Sequence, residues 1–256
     1  MSLQTNNVIS GAEAFFYKGN HIGILICHGF NGTPQSVRFL GEQFANEGYT
    51  VLAPRLKGHG SSVEEFEGSC YEDWKEDLKQ AYDKLAQHCS QIFVIGQSMG
   101  GTLSLDLASK LNNILGVITI NAALEVPAYQ AYQEKTSPRF IAEGEPDIKA
   151  KNVKEITHNQ IPLASIKKLL ALMGETKQRL GYITAPVLLF KSPEDHVVPA
   201  HCSDKIYNHV LSTHKEMVEL NNSYHVASMD NDKQLIVQYT VQFIHKVLQS
   251  NQLAVK

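Results

Sequence analysis

The sequence predicts an α/β fold: a mostly parallel central sheet with helices on both of its faces. Three observations carry that expectation. Short apolar runs alternate with segments of helical period along most of the 256 residues, the pattern of strands joined by crossover helices. Most of those runs are apolar without interruption, as strands covered on both faces require. The third is the stretch Gly96-Gln97-Ser98-Met99-Gly100-Gly101, which lies between one apolar run and the next helical segment. It is a Gly-x-Ser-x-Gly sequence in the strand-to-helix context of a nucleophile elbow.

The elements follow in order. Glu13–Lys18 and Gly23–Cys27 read as strands joined by a turn at Gly19-Asn20. A helix follows His28-Gly29-Phe30-Asn31-Gly32-Thr33-Pro34, with Val37, Leu40, Phe44 and Ala45 on one face and Gly48 as its stop. Tyr49–Ala53 is the next strand and Pro54–Gly60 a loop. Trp74, Leu78, Ala81, Tyr82 and Leu85 recur at helical spacing between Tyr71 and about His88, and read as core. Gln91–Ile95 is the strand that enters the elbow, Thr102–Ala108 the helix that leaves it, and Leu115–Ile120 the strand after that.

The rhythm then breaks. Residues 124–182 hold four of the nine prolines (Pro127, Pro138, Pro146 and Pro162) and no convincing strand. An irregular stretch of this length in a compact chain is usually a lid or binding loop. The expected organisation is therefore a core of residues 1–123 and 183–256 with a small cap insertion at 124–182. Ala128–Lys135 is a candidate helix in the insertion. Ile166, Leu169, Leu170 and Met173 recur at helical spacing between Ser165 and Met173. Leu170 and Met173 are expected to line an acyl pocket over Ser98; the competing reading packs them onto the core. The rhythm resumes with strand Ala185–Lys191, the loop Ser192–Ala200, a helix carrying Ile206, Val210 and Leu211, strand Lys215–Leu220 and a final helix over Asp232–Gln249.

A serine hydroxyl needs a base before it attacks a carbonyl, and a histidine of near-neutral pKa is the usual one. There are eleven histidines, so position must select among them. In a doubly wound sheet the ligand site lies outside the carboxyl ends of the strands. His28, Asp195, His196 and His225 each fall just after an apolar strand or in the loop that follows one. The order Ser98, Asp195, His225 is the serine–acid–histidine order of an elbow-bearing hydrolase. Glu194 is the rival acid, one residue away. His28 and His59 read first as loop-stabilising residues. His196 with His201 is a weak metal candidate, since neither a cysteine framework nor a carboxylate-rich one accompanies them.

Taken together, Gly11–Phe16, His28–Pro34, Pro54-Arg55-Leu56-Lys57-Gly58-His59-Gly60, the elbow, Glu194–Pro199 and Asn222-Ser223-Tyr224-His225 resemble the carboxylesterase and monoacylglycerol-lipase-like branch of the α/β-hydrolase family. The resemblance implies hydrolysis of carboxylic esters, short- to medium-chain acyl esters and monoacylglycerols among them. It places the nucleophile at Ser98, the acid at Asp195, the base at His225 and the oxyanion donors at the backbone N–H groups of Phe30 and Met99. Cys27, where an aliphatic residue is common, and Asn31, where threonine is frequent, are its departures. The alternatives are a thioesterase, amidase or perhydrolase on the same triad, or a non-catalytic ligand receptor with the hydrolase fold.

Composition narrows the partners. The chain is 43% hydrophobic and 19% charged, which suits a folded core. A net charge of -3 gives no basic face for nucleic acid. No apolar run reaches the roughly 18–20 residues of a membrane span, and Met1–Asn7 has neither the basic nor the apolar region of a secretory signal. Cys27, Cys70, Cys89 and Cys202 are irregularly spaced and read as reduced thiols. A cytoplasmic enzyme acting on a small-molecule ester is expected, with no cofactor, no metal and no stable membrane insertion; a homodimer is compatible with the sequence.

Overall fold

The computed structural model describes residues 8–254. Met1–Asn7, on which the expectation of no export signal rests, lie outside the described residues. The strands are β1 (Phe15–Tyr17), β2 (Ile22–Cys27), β3 (Thr50–Ala53), β4 (Gln91–Gln97), β5 (Gly116–Ile120), β6 (Phe140–Ala142), β7 (Gln160–Pro162), β8 (Val187–Lys191) and β9 (Lys215–Glu219). The helices are α1 (Arg38–Asn46), α2 (Val63–Gly68), α3 (Tyr71–Ala86), α4 (Met99–Ala108), α5 (Pro127–Gln130), α6 (Leu163–Arg179), α7 (His201–His209) and α8 (Lys233–Ala254). Seven strands form one sheet in the order β1-β3-β2-β4-β5-β8-β9. Every pairing in it is parallel except β1 with β3.

Strand alternation divides the core in two. Ile24 and Ile26, Phe93 and Ile95, Ile118 and Ile120, and Leu188 and Phe190 face α1 and α8, meeting Leu40, Phe44, Ile236, Phe243 and Ile244. Leu25, Val94, Val117 and Leu189 point the other way, into the cluster that holds Trp74 and Leu78 of α3, Leu103 of α4, Ile166 of α6 and Ile206 of α7. Both faces being apolar is why these strands read as unbroken hydrophobic runs. Each large side chain removed from water contributes roughly 1.5–3 kcal/mol. Among the described residues no helix is long and apolar enough to cross a membrane, and all four cysteines are unpaired.

Two local readings are corrected and one element is added. Residues 63–68 form α2, started by the Ser62 hydroxyl accepting the Glu65 N–H at 3.2 Å. The helix buries only Phe66, so it leaves no apolar period to detect. Between β5 and β8, where no strand was expected, β6 and β7 pair antiparallel, Phe140 opposite Pro162 and Ala142 opposite Gln160. Three residues are too few for alternation to register. The amphipathic segment near Ser165–Met173 belongs to a longer helix, α6, while the candidate helix at Ala128–Lys135 shortens to α5.

The sheet changes direction at its centre. From β2 the chain crosses to β3 on one side, and from β4 it proceeds to β5, β8 and β9 on the other. A crevice forms at the carboxyl ends of strands flanking such a switch. Gly29-Phe30 leaves β2 there, and Ser98 leaves β4.

Candidate active site

The turn at Ser98 depends on missing side chains. Ser98 itself has φ 54° and ψ -119°, a region that costs a non-glycine residue on the order of 1–3 kcal/mol. It is held by its own N–H donating to the Ile120 carbonyl at 2.9 Å and by its carbonyl accepting from Thr102 and Ala123 at 3.2 Å each. A Cβ on Gly96 would stand 2.1 Å from the Gly100 carbonyl oxygen, and one on Gly100 would stand 2.2 Å from that of Cys27. Backbone occupies both spaces, so the glycines two before and two after the serine are sterically required.

His225 and Asp195 reach Ser98 from two other loops. His225, between β9 and α8, places Nε2 2.8 Å from the Ser98 Oγ and Nδ1 2.8 Å from Asp195 Oδ2. The Asp195 side chain is 1% exposed and that of His225 8%. The other Asp195 oxygen accepts the backbone N–H groups of Val197 and Val198, at 2.9 and 2.7 Å. Burial pushes the His225 pKa down, but the charge and hydrogen bond of Asp195, with the charges of Asp147 and Glu155, outweigh it and leave the pKa raised. Glu194, the rival acid, points outward and pairs with Lys149 at 2.7 Å.

Two supporting residues escaped the sequence reading. Gln97 donates from Nε2 to the His225 carbonyl at 2.8 Å. Asn121, with φ 47° at the end of β5, donates to the same carbonyl at 2.9 Å and accepts the Ser192 N–H at 2.8 Å. Gln97 is the last residue of β4, and Asn121 directly follows the neighbouring β5. Their neighbours come from loops more than seventy residues away, and no local pattern reports such a partner.

Phe30 and Met99 flank the serine. Met99 is the first residue of α4, and its backbone N–H, like that of Phe30, has no acceptor among the described residues. Beneath the Phe30 loop, His28 is buried with Nδ1 2.9 Å from the Gly29 carbonyl, while its Nε2 accepts the Leu56 N–H at 3.3 Å. Burial drives its pKa down to about 4. His59 packs edge-on against it and is also held well below 6.5, chiefly by burial.

A stability prediction follows from the neutral His28. Because its folded pKa lies below the unfolded value of about 6.5, its contribution is full above pH 6.5. It is lost as pH falls toward 4, by on the order of 3 kcal/mol in all. Urea unfolding at pH 7.0 and 4.5 measures the drop, and His28→Gln removes this histidine's share of the slope. An unchanged slope in that variant contradicts the assignment.

A cavity of about 130 Å³ opens beside Ser98. Phe30, Val126, Tyr129, Leu169, Val197 and Val226 are its apolar lining, and Asn31, Glu143, Asp147, Glu155 and Thr157 are among its polar lining. Asn31 donates to Glu143 at 2.5 Å. Burial pushes the Glu155 carboxyl up to about 7. Here an expectation fails: Leu170 and Met173 border a separate depression with Lys167 and Lys177, and the residue of α6 that lines the Ser98 cavity is Leu169. Met173 is 2% exposed and packed in the core. Helical spacing identified the buried face of α6 but not which residue of that face lies over Ser98.

His196 and His201, paired in the sequence reading, serve different neighbours. His196 contacts Asp147 at 2.8 Å. His201 contacts Glu125, whose other oxygen is held by Lys205 at 3.2 Å; the Cys202 sulfur lies in the same group. That carboxylate is already satisfied by ammonium and imidazole.

A serine on a strained strand-to-helix turn, at the switch of a mostly parallel sheet, with histidine and aspartate from later loops, defines an α/β-hydrolase. Residues 20–234 match the family described as serine aminopeptidase, S33 (Hydrolase_4), and the chain belongs to that family. It is 44% identical over 241 residues to a thermostable monoacylglycerol lipase of Bacillus sp. (strain H-257), covering 93% of this chain and 96% of that one. It is 28% identical to a carboxylesterase of Bacillus subtilis (strain 168), covering 92% and 97%. A solved structure described with LipS and LipT, two metagenome-derived lipolytic enzymes, superposes with a TM-score of 0.91 at 42% identity, covering 93% and 99%. The chain is thus an enzyme of the monoacylglycerol-lipase and carboxylesterase-like branch.

Proposed function

We propose that this enzyme hydrolyses carboxylic esters of short to medium acyl chains, monoacylglycerols among them, through an acyl-enzyme on Ser98. The observation that carries the reading is the His225 ring bridging Ser98 Oγ and Asp195 Oδ2, 2.8 Å from each. Neutral His225 takes the Ser98 proton on Nε2 as Oγ attacks the ester carbonyl. The oxyanion is met by the N–H groups of Phe30 and Met99. Collapse expels the alcohol, which takes the proton from His225, and leaves the acyl group on Oγ. Water then repeats the attack with the same base, and the free acid departs. Asp195 keeps the Nδ1 proton in place, so that Nε2 faces the serine with its lone pair.

The lining of the cavity supports the substrate class. The apolar side chains suit an acyl chain, and the carboxyls and amide suit a leaving group rich in hydroxyls. Residues 124–182 act as the cap, supplying Val126, Tyr129, Glu143, Glu155 and Leu169 to that lining. The test is fluorophosphonate labelling followed by peptide mapping, with a panel of p-nitrophenyl esters and monoacylglycerols. Modification at Ser98 and turnover of both ester types are expected; an unlabelled Ser98 overturns the reading.

Two further results are expected. Because the His225 pKa is raised, the acid limb of kcat/KM has its midpoint above pH 6.5, and activity falls as His225 takes up a proton below it. A profile flat from pH 5 to 9 excludes the role. Leu169→Ala shifts the chain-length optimum, each methylene in contact being worth up to about 0.8 kcal/mol. Leu170→Ala leaves the optimum where it is. Equal effects of the two variants across acetate, butyrate, caprylate and laurate esters contradict the placement of the pocket.

A further inference from the structure

We propose that Asp147, in the insertion, is a positioning residue for the reaction: it clamps the base and acid loops together and adds negative charge behind the imidazolium. The inference rests on the Ser98–His225–Asp195 reading above. Asp147 follows β6, and its side chain is 16% exposed. The backbone N–H groups of His225 and His196 both donate to its Oδ2, at 3.1 Å each. One carboxylate oxygen thus holds the base residue itself and the residue next to the acid. Its Oδ1 lies 2.8 Å from His196 Nδ1, and its backbone carbonyl accepts the Val226 N–H at 3.1 Å.

The next residues extend the tie. Lys149 and Ala150 donate their backbone N–H groups to the buried Asp230 carboxylate at 2.7 and 2.9 Å, and Asp230 also accepts from Tyr224, one residue before the base. The Lys149 ammonium also reaches Glu194, one residue before the acid, but this exposed pair adds little to the tie. Residues 147–150 therefore lash the insertion to both loops on either side of Asp195 and His225. Acid and base sit on separate loops after separate strands, and their 2.8 Å contact holds only while those loops keep their spacing. A displacement of about 1 Å at such a contact can cost on the order of 10²-fold in rate.

The second part of the role is electrostatic. The acidic groups that face His225 are Asp195 from the loop after β8, and Asp147 and Glu155 from the insertion, with Glu143 acting on Glu155 in turn. The charge of Asp147 can be removed while its two bonds to the loops are kept, because the carbonyl oxygen of an asparagine still accepts both backbone N–H groups. Geometry and charge are therefore separable by substitution.

The experiment compares Asp147→Ala and Asp147→Asn with the wild type, using kcat and KM for p-nitrophenyl butyrate across pH 5–9. Asp147→Ala is expected to lower kcat tenfold or more, by a larger factor than it raises KM, because the loops lose their clamp while only one of the side chains lining the cavity is shortened. Asp147→Asn is expected to keep kcat at pH 8 within about threefold and to move the acid limb to lower pH by roughly half a unit. A residue that only braces the fold lowers the melting temperature and leaves that limb in place. An Asp147→Ala enzyme with wild-type kcat, or an Asp147→Asn limb that does not move, overturns the proposal; if the alanine variant does not fold, the asparagine result decides. Fluorophosphonate labelling of the wild type, measured first, separates the two levels. Labelling at Ser98 with unaffected Asp147 variants removes only this assignment, whereas no labelling removes the triad and the assignment together.

Discussion

Ser98→Ala lowers the rate of ester hydrolysis by about 10⁴-fold or more while the protein stays folded. The loss is large because in the proposed mechanism the hydroxyl is the attacking group, and without it only binding and the oxyanion donors remain. The fold survives because the bonds that shape the turn are backbone bonds, from Ser98 N–H to Ile120 and from Thr102 and Ala123 to the Ser98 carbonyl. The Oγ partner is the His225 ring, and alanine accepts the same backbone geometry at no extra cost. Initial rates on p-nitrophenyl butyrate with far-UV circular dichroism check both halves. Activity within tenfold of wild type rules out the serine as nucleophile.

Asp195→Asn lowers kcat by roughly 10³- to 10⁴-fold, whereas Glu194→Gln is nearly silent. The aspartate holds His225 Nδ1–H on one oxygen and two backbone N–H groups on the other. An asparagine that keeps the backbone bonds turns its amide N–H₂ toward Nδ1. That favours the tautomer with the proton on Nε2, facing Ser98, where a lone pair is needed. Glu194 lies on the surface with Lys149 as partner, an arrangement of little energetic weight. Measured side by side, the two variants place the acid; the reverse ranking moves it to Glu194.

The parallel sheet, the elbow and the order Ser98, Asp195, His225 are legible in the residues because each has a local cause. Strands buried on two faces are written as apolar runs, and a strained serine is written as glycines two residues to either side. Loop ends of strands collect on one edge of the sheet whatever the detailed packing. Strand position alone left two adjacent carboxylates, and only the family resemblance favoured Asp195 over Glu194, since a shift of one position along a loop changes which side chain faces inward.

Where information ran out, the determining contact was distant. Leu169, Leu170 and Met173 all obey the helical period of α6; which one overlooks Ser98 depends on how that helix is rolled against α3 and α4, a matter of packed volume that periodicity does not encode. Gln97, Asn121 and Asp147 gained their parts only when folding brought the His225 carbonyl and N–H to them. By itself the sequence determined the sheet, the turn and the order Ser98, Asp195, His225 at strand ends, because these follow from hydrophobic period and steric limits within a few bonds. The tertiary structure decided which side chains wall the cavity and which carboxylates hold the loops, because those choices rest on hydrogen bonds and packing between segments far apart in the chain.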